Sequence, residues 1–257
     1  MILNHGQVTW TTPELAPTLP TTTPHHGRTA LDRFNMHRCI GFHWGNISNA
    51  LLAQFRCNKS EFGGRLIAVD EPWIHWTGTK MQSKQWTTRG EPAPKKAKTV
   101  FSTRKVMPTV FWNSHRVILI EYLQKGKTIT GTYYASLLKK LKAELAEKRS
   151  HLQKKKILFH QDNAQSHTSM VVMAKIYELR IELLEHLPYS QNLALGDFFL
   201  FPHLKIALRG HGFSLNEETI TLVNNYFAKK NAEYYLGGLQ KWKHRWEKCV
   251  ELQGDLC

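Results

Sequence analysis

Apolar residues follow two rhythms along this chain, short unbroken runs and stripes at helical spacing. Arg65 to Val69 and Ile157 to Phe159 are runs of strand length, the first followed at once by Asp70 and the second leading to Asp162. Runs of this kind, bounded by polar residues, read as buried strands. Trp73 to Trp76 predicts a further short strand. Val110-Phe111-Trp112, the turn residues Asn113-Ser114-His115 and Val117 to Ile120 predict a hairpin, and Pro108 places its start at an edge or bulge. Tyr134, Leu137, Leu138, Leu141 and Leu145 recur at helical spacing, with Lys139, Lys140, Lys142 and Lys148 facing the other way. A helix near Ser169 to Tyr177 and a short apolar run around Ile181 to Leu184 come next. Leu236, Leu239, Trp242, Trp246 and Val250 form another helical stripe. Tryptophans can stack on bases, but at this spacing they read as core. Strands alternating with helices indicate an α/β sheet.

The upstream part is less regular. Residues 1 to about 30 are rich in proline and threonine and lack hydrophobic periodicity, which reads as an extended or disordered arm. Residues 31 to 60 carry Phe34, Cys39, Ile40, Leu51, Leu52 and Phe55 as apolar positions of a helix that Gly41 and Gly45 interrupt. The expected division is an irregular arm and linker remnant over 1–60 and one α/β domain over 61–257. Within the domain, 77–102 is a long basic insertion loop that includes Lys95, Lys96 and Lys98. Loops of this length are usually functional or disordered.

Charge narrows the partners. Lys and Arg number 35 against 20 Asp and Glu in 257 residues, a net charge of +15. That excess favours a polyanion, because neutralised phosphates release counterions, but it specifies no chemistry. Cys39, Cys57, Cys249 and Cys257 form no C-x-x-C pair and read as reduced thiols. No apolar run approaches bilayer-spanning length, so no membrane is expected as a partner.

The candidate chemistry is carried by three acids at element ends, Asp70, Asp162 and Asp197, with 34 residues between the last two. Singly, they read as a strand-end acid, an Asx turn and a helix N-cap. Converging at the carboxyl edge of a sheet, they would offer oxygen ligands to hard cations such as Mg²⁺. Glu71, adjacent to Asp70, should point elsewhere and serve as an outer-shell group at most. His160 and His167 invite a zinc reading, yet no cysteine or third histidine stands at ligand spacing. His167 is better read as a support for the loop after Asp162, or as a phosphate contact.

Longer stretches add a resemblance. HQDNAQSHTS (His160 to Ser169), LPYSQNLALGDFFLFPHLK (Leu187 to Lys205) and VDEPWIHW (Val69 to Trp76) resemble the catalytic region of mariner-family transposases. So do RGEP (Arg89 to Pro92), KGKTITGTYYASLL (Lys125 to Leu138) and KWKHRWEKCVELQGD (Lys241 to Asp255). The 34-residue gap is that family's spacing between its second and third catalytic aspartates.

The resemblance implies a ribonuclease-H-like fold, a mixed sheet flanked by helices, with Asp70, Asp162 and Asp197 as the catalytic, metal-binding residues. It implies Mg²⁺, with Mn²⁺ as a substitute, and metal-dependent cleavage and transfer of DNA phosphodiester bonds. DNA, a second copy of the chain in a homodimer, and a nuclear location follow as expected partners and place. Trp10 to Leu15 weakly resembles the family's linker W-V-P-H-x-L, and too few residues precede it for the helix-turn-helix units that recognise transposon ends. A truncated protein binding DNA through phosphates alone is therefore expected.

Two departures stand out. Ser190-Gln191-Asn192-Leu193-Ala194-Leu195 replaces the family's S-P-D-L-A-P, which predicts a less rigid approach to Asp197. Asn113 replaces an acid of the family's F-W-D. They keep open a non-catalytic relic that binds DNA or a partner. A ribonuclease on RNA–DNA hybrids is a third reading, with no signature for the 2′-hydroxyl.

Overall fold

A computed structural model describes residues 45–75, 105–148, 156–186, 190–208 and 215–253. The insertion loop expected at 77–102 and residues 1–44 lie outside the described residues. In chain order the elements are α1 (45–57), α2 (Lys59–Arg65), β1 (Leu66–Asp70), β2 (Ile74–His75), β3 (Lys105–Val106), β4 (Pro108–Trp112) and β5 (Val117–Tyr122). They continue as α3 (Gly131–Lys148), β6 (Ile157–His160), α4 (Met170–Glu178) and β7 (Ile181–Leu183). The last part holds a 3₁₀ turn (Gln191–Leu193), a π turn (Gly196–Leu200), α5 (Phe201–Ala207), α6 (Asn216–Ala228) and α7 (Ala232–Glu251).

The main sheet runs β5-β4-β1-β6-β7, antiparallel on the β4 side of β1 and parallel on the β6 side. Ile74–His75 pairs with Lys105–Val106 in a separate two-stranded ribbon. Successive residues of a strand point to opposite faces, and the core divides accordingly. Ile67 and Val69 pack with Phe111, Phe159, the α3 stripe and α4 residues Val172 and Ile176. Leu66 and Ala68 face a larger cluster built from α1, α2, Leu195, Phe199, Leu200, Trp242 and Trp246. The result is a mixed sheet with helices on both faces, as expected for a ribonuclease-H-like arrangement. Trp242 and Trp246 are core, as read from their spacing.

Two expectations shift. The boundary near residue 60 does not mark a break, because α1 buries Ile47, Leu51, Leu52 and Phe55 in the same cluster as Trp246. Phe55 meets Phe62 and Trp246 edge-on, at centroid distances of 5.5 and 6.4 Å. Of the two glycines expected to interrupt the helix, Gly45 stands at its described start and Gly41 lies outside the described residues. Cys249 is disulfide-bonded rather than reduced, while Cys57 is free and exposed. Sequence spacing carries no trace of that pairing.

Pro108 lies beyond the last β1–β4 pair, Asp70↔Val110, so its missing N–H is taken from no β1 ladder. Asn113 has a local task. Its Oδ1 accepts from the N–H groups of His115 and Arg116, at 2.9 and 3.0 Å, and closes the β4–β5 turn. A side-chain acceptor is what that turn requires, and an amide meets the need where the family carries an acid.

Candidate active site

Asp70 ends β1, and Asp162 follows β6 by two residues. The strands are parallel with Ala68 level with His160, so the two acids leave the sheet side by side at its carboxyl edge. Asp162 is set by a local turn: its Oδ1 accepts from the N–H of Ala164 at 3.0 Å. Asp197 arrives on the π turn, a rare widening of the helical spiral that is frequent at functional sites. Gly196 beside it packs against Asp70. A Cβ at 196 would lie 2.8 Å from the Asp70 Cβ and 2.9 Å from the Phe201 ring, and would overlap Asp70 Oδ2. The absence of a side chain at 196 is what lets the turn seat Asp197 near β1.

Electrostatics records the convergence. Burial, then the charge of Asp197, pushes the Asp70 carboxyl up to about 8, with Glu71 and Asp162 adding to the rise and the Glu71 N–H opposing it. Burial also raises Asp197, and Asp162 contributes, while Lys205 pulls the other way. Asp162 goes in the opposite direction. Burial would raise it, but the bond and charge of His167, with the Ala164 N–H, outweigh that and hold it low. Among the described residues, no three acid, histidine or cysteine side chains stand close enough together to hold one ion as the structure stands.

The donor set nevertheless fits a hard cation. All three acids offer oxygen, and neither histidine is a free ligand. The His160 ring is buried edge-on between His186 and Trp242, with centroids at 5.1 and 4.6 Å. Full burial drives its pKa down to about 3. His167 spends both nitrogens on carboxylates, Nδ1 at 2.5 Å from Asp162 Oδ1 and Nε2 at 3.2 Å from Glu71 Oε2. Burial disfavours its charge, but those two acids outweigh it and raise the ring to about 9. His167 thus supports the Asp162 loop, the first of its two expected roles, and Glu71 enters as an outer group through His167.

Sequence reasoning missed three supports. Tyr134, read only as part of an apolar stripe, stacks on His167 at 4.1 Å and donates to Gln161 Oε1 at 2.9 Å. Trp242 Nε1 donates to the Leu193 carbonyl at 2.8 Å, and an Arg245 Nη1 donates to that of Asn192 at 2.9 Å. The segment expected to be loose for want of prolines is instead tied to α7, with Leu193, Ala194 and Leu195 buried. Gly238 of α7 leaves room for the Phe199 ring, which would lie 2.6 Å from a Cβ there. Trp242 and Arg245 stand one turn apart on α7, close enough to act on the same segment.

The family profile described as Transposase (partial DDE domain) matches residues 77–155. The chain is 33% identical over 211 residues to the Mariner Mos1 transposase of Drosophila mauritiana, across 81% of this chain and 60% of that protein. It superposes on the Mos1 mariner paired end complex with Mn at a TM-score of 0.75 and 31% identity, over 92% of this chain and 68% of that one. With the catalytic domain of Mos1 mariner transposase the TM-score is 0.70 and the identity 28%, over 91% and 98% of the two chains. The chain therefore spans about 60% of the length of that Mos1 transposase.

Proposed function

This chain belongs to the mariner transposase family, as a catalytic core of ribonuclease-H-like fold, and from that premise we propose that it cleaves and transfers DNA phosphodiester bonds. Asp70, Asp162 and Asp197 would hold divalent cations, Mg²⁺ by preference and Mn²⁺ as a substitute. The observation that supports this is that Asp70 and Asp162 leave parallel strands side by side while the π turn bearing Asp197 packs through Gly196 against Asp70. Cations held there stabilise the attacking and leaving oxygens of an in-line displacement. Related Mos1 complexes contain Mn or Mg, which supports the same choice of ion.

The chain's own residues supply position. Strand β1 and the turn after β6 fix Asp70 and Asp162, the π turn presents Asp197, and α7 steadies the approach to it. Water is the first nucleophile and a DNA 3′-hydroxyl the second. The net charge of +15 draws the phosphate backbone to the protein. Among the described residues no helix is long and apolar enough to cross a membrane. DNA as partner, a second copy of the chain and a nuclear location belong to the same proposal. The drift before Asp197 is one ground for the non-catalytic alternative, and the bonds from Trp242 and Arg245 to that segment weigh against it.

The test is nicking of supercoiled plasmid by purified protein in Mg²⁺ or Mn²⁺. Nicking that disappears in Asp162→Ala and in Asp197→Ala is expected. Metal-independent nicking, or nicking that survives both substitutions, would overturn the reading.

A further inference from the structure

Building on the assignment of Asp162 to the metal site, we propose that His167 is a positioning residue that decides which oxygen of Asp162 faces the cation. The ring is 2% exposed and meets a carboxylate at each nitrogen. Nδ1 donates to Asp162 Oδ1, which also receives the Ala164 N–H, so Oδ1 carries two protein donors. Oδ2 has no protein donor among the described residues, on a side chain that is 45% exposed. A free aspartate has a broad, two-fold terminal torsion and presents either oxygen. Two donors on one oxygen remove that choice.

The ring is itself held against rotation. A half turn would set carbon atoms against both Asp162 and Glu71. Tyr134 stacks on one face, and its hydroxyl reaches Gln161, whose Nε2 donates to the His167 carbonyl at 3.3 Å. Glu71 contributes the far anchor: its carboxylate is 8% exposed, and its Oε1 has no partner among the described residues. An isolated buried carboxylate is costly unless a partner faces it. The line Glu71–His167–Asp162 therefore places a buried anchor behind the ring and an exposed metal-facing oxygen in front. Residues behind metal ligands often act in this way, and losing one weakens affinity by about 10–100-fold.

Two amides separate positioning from mere filling. The side-chain nitrogen of asparagine falls where Nδ1 lies, and that of glutamine falls where Nε2 lies. In calorimetric titrations with Mn²⁺, His167→Gln is expected to bind at least about tenfold more weakly than the parent. His167→Asn regains most of the affinity, within about threefold, because it keeps the donor to Asp162 Oδ1. Equal behaviour of the two variants, whether both weak or both unaffected, would overturn the proposal. Asp162→Ala is the control for the underlying site. If it binds Mn²⁺ like the parent, the metal-site reading fails first and the role of His167 with it. Melting curves accompany each variant. Should both amide variants unfold, the unmodified protein decides: Mg²⁺ is expected to shift the His167 ring Nδ1 proton in long-range ¹H–¹⁵N spectra. A resonance that stays in place overturns the assignment.

Discussion

Gly196 and Asp70 touch so closely that position 196 has no room for a Cβ, which would overlap Asp70 Oδ2 and approach the Asp70 Cβ to 2.8 Å. The contact joins two segments far apart in sequence and sets where Asp197 begins. Gly196→Ala is expected to push the π turn off β1 and to cost about 1–3 kcal/mol of stability, the usual range for overpacking. Mn²⁺ affinity and nicking should fall further than that loss explains, because Asp197 moves with the turn. Urea denaturation beside calorimetry checks this, and a variant with parental metal affinity would show that the contact does not set the site.

Removing the tie from α7 should loosen the same segment from the other side. Trp242→Phe keeps an aromatic ring but leaves the Leu193 carbonyl without its donor. An orphaned buried acceptor costs about 1–3 kcal/mol. The nicking rate is expected to fall with it, and Arg245→Ala, at a more exposed bond, should do less. A Trp242→Phe variant with unchanged urea midpoint and rate would refute the bracing role.

Acid should destabilise the fold through His160. Its folded pKa is near 3, depressed by burial, whereas the unfolded ring titrates near 6.5. The contribution is therefore complete above about 6.5 and is lost as pH falls toward 3, at a slope of about 1.4 kcal/mol per unit for one proton. His186 is also depressed by burial and acts with the same sign. Unfolding midpoints measured from pH 7 to 4 should drop more steeply for the parent than for His160→Phe. Parallel curves would contradict the assignment.

DNA affinity should respond to salt as a count of phosphate contacts. With a net charge of +15, log K is expected to fall linearly with log salt, by about 0.9 per phosphate neutralised on duplex DNA. Random-sequence and inverted-repeat duplexes should give the same slope in fluorescence anisotropy. A sequence-dependent affinity that persists at high salt would identify base contacts instead.

The parts legible in the sequence were those with a local period. Ile157 to Phe159, Arg65 to Val69, the Val110–Ile120 hairpin and the Tyr134–Leu145 stripe each reveal their element by an unbroken apolar run or by helical recurrence. Asp70 and Asp162 were visible as acids at strand ends, but their adjacency depends on the parallel β1–β6 register, which no local pattern encodes. Glu71 was expected to turn away from Asp70, and it does so toward His167, a contact made by the chain's return rather than by spacing. The π turn was illegible because Asp197 read as an ordinary helix N-cap, and the close approach to Asp70 explains the glycine before it. The rigidity before Asp197 was misjudged because proline is a local cause of stiffness. Here the cause lies on α7, at Trp242 and Arg245.

The bonds from α7 to the Asn192 and Leu193 carbonyls also impose an order in time. Trp242 is synthesised more than forty positions after Asp197, and β1 with Asp70 is made long before either. Domains fold as their chains emerge, and a contact cannot form before both of its partners have been made. The three acids can therefore all be outside the ribosome while the segment carrying the third still lacks its tie. On the proposed function, the metal site of a nascent chain is complete only once α7 docks. Released chains ending just before Trp242 are expected to bind Mn²⁺ far more weakly than chains that include all of α7, and equal binding by the two would break the link.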